Sequence, residues 1–149
     1  MTVRRLLIAT ALSAVALAGP AKAAKNISIL ATGGTIAGSA ETQTQAGYTS
    51  GQVGVETLLA AVPQLKDLAS VSGEQVANVG SQDMSDEIRQ QLAARVNAMA
   101  DSRKVDGIEI THGTDTNEET AYFLNLVDDS DKAVVLTAAM RPSTALSAD

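Results

Sequence analysis

The sequence predicts an α/β fold, a mainly parallel sheet flanked by helices. Three observations predict it. Apolar, β-branched runs alternate with helical stretches in the order strand, helix, strand, helix, strand, helix, strand. The runs NISILA (26–31) and AVVLT (133–137) are apolar nearly throughout, as strands of a parallel sheet covered on both faces are. Three strands also end in the same punctuation of glycine plus a hydroxyl residue: TGGT (32–35), GSQD (80–83) and HGTD (112–115).

The first segment is read as a leader, not as part of the fold. Arg4 and Arg5 open it, an uncharged apolar run covers 6–18, and Ala21-Lys22-Ala23 forms a small-x-small site. A basic start, a short apolar run and such a site describe a secretory signal peptide over 1–23. The run is shorter than the ~20 residues of a membrane span, so an uncleaved anchor is the lesser reading. The domain then occupies 24–149, and a periplasmic or secreted location follows.

NISILA is the first strand, closed by Gly33 and Gly34. Residues 39–54 are rich in Gly, Thr, Gln and Ser and form a long loop, of the length that tends to carry function. Residues 55–61 are a short helix stopped near Pro63. Residues 75–79 alternate as a strand, with a separate short strand before it at 70–72. Ser85 begins the clearest helix, with Asp86 and Glu87 in its first turn and Ile88, Leu92, Val96 and Met99 on one face. Residues 104–111 are the next strand. Thr116 and Glu119 then have the spacing of a capping box, and Ala121, Leu124, Leu126 and Val127 supply the apolar side of the helix they open. AVVLT is the last strand. The sequence stops 12 residues after it, and this is read as the end of a fragment.

Composition excludes several classes. Removing the leader takes away three of 11 basic residues and no acid, which leaves 8 basic against 17 acidic residues, near −9. That argues against nucleic acid or an anionic membrane surface as partner. There is no cysteine and one histidine, so a thiolate nucleophile and a His cluster for zinc are both excluded, and no metal is expected. Tyr48, Tyr122 and Phe123 are the only aromatic residues, too few for base-stacking platforms. The glycines at 33 and 38 lack the middle glycine of a dinucleotide fingerprint, since Thr35 stands there, and no G-x-x-x-x-G-K-[ST] occurs.

Ligands of open parallel sheets bind outside the carboxyl ends of the strands. The three punctuated ends are therefore expected to line one cleft holding Thr35, Ser81, Gln82, Thr114 and Asp115. The plain alternative is three ordinary turns. Spacing does not choose between Thr32 and Thr35 as the reactive hydroxyl. Tyr48, in the long polar loop, is read either as a functional lid or as a loop anchor. His112 is read as a histidine hydrogen-bonded near the sheet, not as a triad base. Lys104 and Lys132 stand at the starting ends of strands, the wrong edge for this cleft.

Five motifs in order resemble the N-terminal part of bacterial secreted (type II) L-asparaginases and glutaminase-asparaginases. They are ILATGGTIAG (29–38), Gly47-Tyr48, GEQVANVGSQDM (73–84), DGIEITHGTDTNEETAYFLNL (106–126) and AMRPSTALSAD (139–149). The resemblance implies a Rossmann-like N-terminal domain that hydrolyses the side-chain amide of asparagine to aspartate and ammonia. It implies that Thr35 is the nucleophile forming a β-aspartyl ester and that Tyr48 is the lid tyrosine that helps activate it. Thr114 matches the threonine linked with water activation, with an oxyanion position near its backbone. Asp115 matches the carboxylate that binds the α-amino group, and Ser81 and Gln82 match residues that hold the α-carboxylate and amino ends. A homotetramer without metal or organic cofactor is implied as well.

Two departures from the family pattern stand out. Asn117 occupies a position where the family has an apolar residue. The family's catalytic lysine and its smaller C-terminal domain lie beyond Asp149, as does a residue that a neighbouring subunit contributes. The 149-residue chain alone is therefore expected to have little or no activity. The Ser81-Gln82 pair resembles asparagine-preferring members. The alternatives are a dual glutaminase-asparaginase, a non-catalytic periplasmic amino-acid binding module, and a truncated product that does not fold stably.

Overall fold

The computed structural model describes residues 23–148. The leader read over 1–23 thus lies, apart from its last residue, outside the described residues. Four parallel strands form one sheet in the order β2-β1-β3-β4. They are β1 (Lys25–Gly33), β2 (Ala69–Val79), β3 (Gly107–His112) and β4 (Ala133–Ala138). The helices are α1 (Val55–Ala61), the one-turn α2 (Leu65–Leu68), α3 (Asp86–Ala100) and α4 (Asn117–Val127).

Alternation along β1 builds the core on both faces. Leu30 packs with Leu92, Val96, Ile108, Ile110 and Leu124, beneath α3 and α4. Its neighbours Ile29 and Ala31 belong to a smaller cluster with Val55, backed by Leu59 of α1 and Val71 of β2. The chain leaves β1 towards β2 on the α1 side and reaches β3 through α3 on the other. That reversal is a topological switch point, between β1 and β3.

Several boundaries differ from the sequence reading. The two short strands expected at 70–72 and 75–79 are one strand, because pairing with β1 continues through Gly73, opposite Ile29. Beyond Pro63 the chain takes one more helical turn, α2. Residues 104–106 are not strand. The Asp106 carboxylate accepts from Lys25 Nζ at 2.9 Å and from the Asn26 backbone N–H at 2.8 Å, which turns this segment across the start of β1. Ser85 caps α3 as expected, its Oγ accepting from Ile88 N at 3.3 Å. On α4 the apolar side is narrower than the pattern suggested. Thr120 and Leu124 are buried, whereas Leu126 points to solvent.

Candidate active site

β1 delivers two threonines with opposite fates. Thr32 is buried within the sheet, and its Oγ1 donates to the Thr111 carbonyl of β3 at 3.0 Å. Thr35 opens a 3-10 turn (Thr35–Ala37) just beyond the strand. Its Oγ1 lies 2.7 Å from the phenol oxygen of Tyr48. Thr32 is therefore spent on the sheet, and Thr35 presents its hydroxyl to the long loop. The two threonines that spacing could not tell apart thus differ in what their hydroxyls meet.

The turn between them depends on Gly34. Its φ of +76° lies in the left-handed region, and a Cβ there would sit 2.5 Å from the backbone of Gly113. The close approach presses the end of β1 against the turn after β3. Gly34 N also donates to the Val79 carbonyl at 2.8 Å, which ties in the end of β2.

The other two strand ends meet through Ser81. This residue opens a second 3-10 turn (Ser81–Asp83) and is buried. Its Oγ donates to Asp115 Oδ2 at 3.0 Å and accepts from the Asp115 backbone N–H at 3.1 Å. Because β1 lies between β2 and β3, this pair of bonds crosses the end of β1 near Gly34: a Cβ on Gly113 would run into Ser81 Oγ and lie 3.1 Å from Gly34 Cα. Thr116 adds a third bond, its Oγ1 donating to the Ser81 carbonyl at 2.9 Å. That corrects part of the capping-box expectation: Thr116 stands at the N-cap of α4, but its side chain makes no cap bond there and is turned to Ser81 instead.

Thr114 and Asp115 are exposed on the turn after His112. Gln82 is exposed as well, and its amide donates to the adjacent Asp83 carboxylate at 3.3 Å, not to Asp115. The structure thus brings together Thr35 with Tyr48 and Ser81 with Asp115, places Thr114 next to Asp115, and leaves Gln82 at the rim.

His112 is fully buried under this turn. Its Nδ1 lies 2.8 Å from the Gly113 carbonyl. A carbonyl only accepts, so Nδ1 carries the proton. Nε2 is then a lone pair, buried without a hydrogen-bond partner. Burial first, and the Arg89 charge second, hold the imidazole pKa below its ordinary value. Histidine here anchors the turn in its neutral form. Asn117 Oδ1, at the start of α4, is likewise buried with no partner among the described residues. The lysines read as misplaced are indeed remote: Lys132 Nζ donates to the carbonyls of Met99 and Ser102, by the start of β4.

Thr116, read only as a cap, was missed as a site residue. Its hydrogen bond to Ser81 spans 35 positions and has no local signature.

A parallel sheet flanked by helices, with hydroxyl and carboxylate side chains gathered at its switch point, defines an α/β domain. The chain belongs to the asparaginase family, residues 26–149 matching the family model described as Asparaginase, N-terminal. It is 58% identical over 142 residues to "L-asparaginase 2" of Escherichia coli, covering 94% of this chain and 40% of that protein. It is 54% identical over 124 residues to "Probable L-asparaginase periplasmic" of Haemophilus influenzae, covering 83% of this chain and 35% of that protein. Among solved structures, "Probable Cytoplasmic L-asparaginase" from Campylobacter jejuni superposes with a TM-score of 0.80 at 53% identity, covering 84% of this chain and 38% of that one. The chain spans about two fifths or less of the length of these relatives.

Proposed function

We propose that the protein to which this chain contributes is an L-asparagine amidohydrolase, and that the chain supplies its nucleophile. The observation that carries the reading is the 2.7 Å contact between Thr35 Oγ1 and the Tyr48 phenol at the switch point. A hydroxyl on a strand-end turn, hydrogen-bonded to a titratable group, has the arrangement of an activated nucleophile.

Thr35 Oγ attacks the side-chain amide carbon of asparagine while its proton passes to the Tyr48 phenol oxygen, whose own proton goes on to the leaving amide nitrogen. The C–N bond breaks, ammonia leaves, and a β-aspartyl ester remains on Thr35. Water then cleaves that ester, with Thr114 beside it, and releases aspartate. Asp115 pairs with the substrate's α-ammonium, a charge match for an exposed carboxylate. Ser81 holds Asp115 in place through its two hydrogen bonds. Gln82, at the rim, contacts the α-carboxylate end. Asparagine is the preferred substrate and glutamine a slower one. No lysine among the described residues stands near Thr114, so the 149-residue chain alone turns over little substrate. A leader over 1–23 directs the protein to the periplasm or outside the cell, and the full-length form assembles as a homotetramer.

The test joins this chain at Asp149 to the part of the Escherichia coli relative that follows the matched region, and measures ammonia release from asparagine and glutamine. The reading predicts turnover that Thr35→Ala abolishes while the circular dichroism spectrum is kept. Tight aspartate binding without ammonia would make the domain a binding module instead.

A further inference from the structure

Tyr48 lies on a loop whose residues 41–49 are all exposed. So much uncovered backbone has little of its own to hold it over Thr35. Its base is closed by an antiparallel bridge between Ser39 and Thr49, with N–O distances of 3.0 and 2.9 Å. Its far flank is tied to the Thr35 turn, Gly51 N donating to the Gly34 carbonyl at 3.1 Å and Val53 N to the Ala37 carbonyl at 2.9 Å, and three further ties come from the segment after β4. Ser143 Oγ donates to the Gly38 carbonyl at 2.8 Å. Ala40 N donates to Thr144 Oγ1 at 2.9 Å. Leu146 N donates to the Gln43 carbonyl at 3.1 Å. Gly38 sits between the two: a Cβ there would lie 2.9 Å from Tyr48 Cδ2 and 3.2 Å from Pro142 Cβ.

We infer that Ser143 and Thr144 are positioning residues for catalysis, a tether that holds the Tyr48 loop closed over Thr35. Among the described residues neither is hydrogen-bonded to the phenol or to Thr35. They act by fixing Gly38 and Ala40, the stretch of backbone against which the Tyr48 ring rests. The inference rests on the reading of Tyr48 as the group that activates Thr35. Its test needs no substrate, so a confirmed tether in a protein that releases no ammonia would sink the function and leave the tether standing.

Only two tyrosines and no tryptophan are present, so Tyr122→Phe leaves Tyr48 as the sole emitter. Tyr122 is exposed on α4. In that background of the full chain, iodide quenching of tyrosine fluorescence reads the loop directly. Tyr48 is 40% exposed when closed, so release of the loop by Ser143→Ala with Thr144→Val raises the quenching constant about twofold. Thr144→Ser keeps the accepting oxygen and retains the parent value. If the double variant loses its circular dichroism spectrum, Ser143→Ala and Thr144→Val are measured singly, and each is expected to give part of the rise. Parental quenching in the folded double variant, or in both folded single variants, overturns the inference.

Discussion

Ser81→Ala is the sharpest test of how the strand ends are held together. The substitution removes one buried oxygen and with it two bonds, the 3.0 Å bond to the Asp115 carboxylate and the 3.1 Å bond from the Asp115 N–H. A hydrogen bond to a charged group contributes ~1.5–3 kcal/mol and a neutral one ~0.5–1.5 kcal/mol. Asp115 is exposed and regains water, so the lower end of each range applies, and the loss is about 2 kcal/mol. With a urea dependence of ~2 kcal/mol/M, the unfolding midpoint falls by about 1 M. Urea titration followed by circular dichroism measures it. A double-mutant cycle with Asp115→Ala then isolates the carboxylate bond, with an expected coupling of about 1 kcal/mol. A midpoint shift below about 0.2 M, or no coupling, would refute the idea that Ser81 latches the turn after β3.

Three further predictions follow from individual buried groups. Asn117→Met removes the partnerless Oδ1 and is expected to stabilise the chain by about 1 kcal/mol, read as a higher urea midpoint; a lower midpoint would show that the oxygen is satisfied in solution. Gly38→Ala drives a methyl group into the Tyr48 ring and should raise iodide quenching of Tyr48, while unchanged quenching would mean that the ring does not rest there. His112 has a lowered pKa in the fold, so below about pH 6.5 the unfolded chain binds a proton that the folded chain resists. Its contribution is thus fully present above that pH and declines as pH falls towards the lowered folded value. Urea midpoints measured through this window should fall with pH, and less so in a His112→Gln variant; equal slopes would remove His112 from the account.

The parts of the fold legible in the sequence are those governed by local rules. NISILA and AVVLT both lie within observed strands, β1 and β4; β1 is central and covered on both faces, as its apolar run predicts, whereas β4 is an edge strand that leaves Ala133 and Val135 exposed. Ser85 reads as a cap and acts as one, its hydroxyl accepting from the Ile88 N–H within the first turn of α3. Thr116 shows the limit of that rule: it stands at the N-cap of α4, yet its hydroxyl is turned to the distant Ser81 carbonyl and makes no cap bond. β2 reads as two pieces because it lies at the sheet edge, where the exposed Ser70 and Ser72 and the half-buried Gly73 break the apolar pattern. Convergence of the three turns was legible because parallel strands must end on one side. The distinction between Thr32 and Thr35 was not, because it depends on which neighbour each hydroxyl meets. The loop tether is more remote still, since Ser143 and Thr144 reach Gly38 and Ala40 across more than 100 positions of sequence.

The central claim is that Thr35 becomes covalently aspartylated during turnover. The direct measurement is peptide mass spectrometry of the chain joined to the remainder of its Escherichia coli relative, mixed with asparagine and quenched in acid. The account predicts a β-aspartyl ester on Thr35, absent from Thr35→Ala and diminished in Tyr48→Phe. Ammonia release with no adduct on Thr35, or with the ester on Thr32 or Thr114, would contradict it.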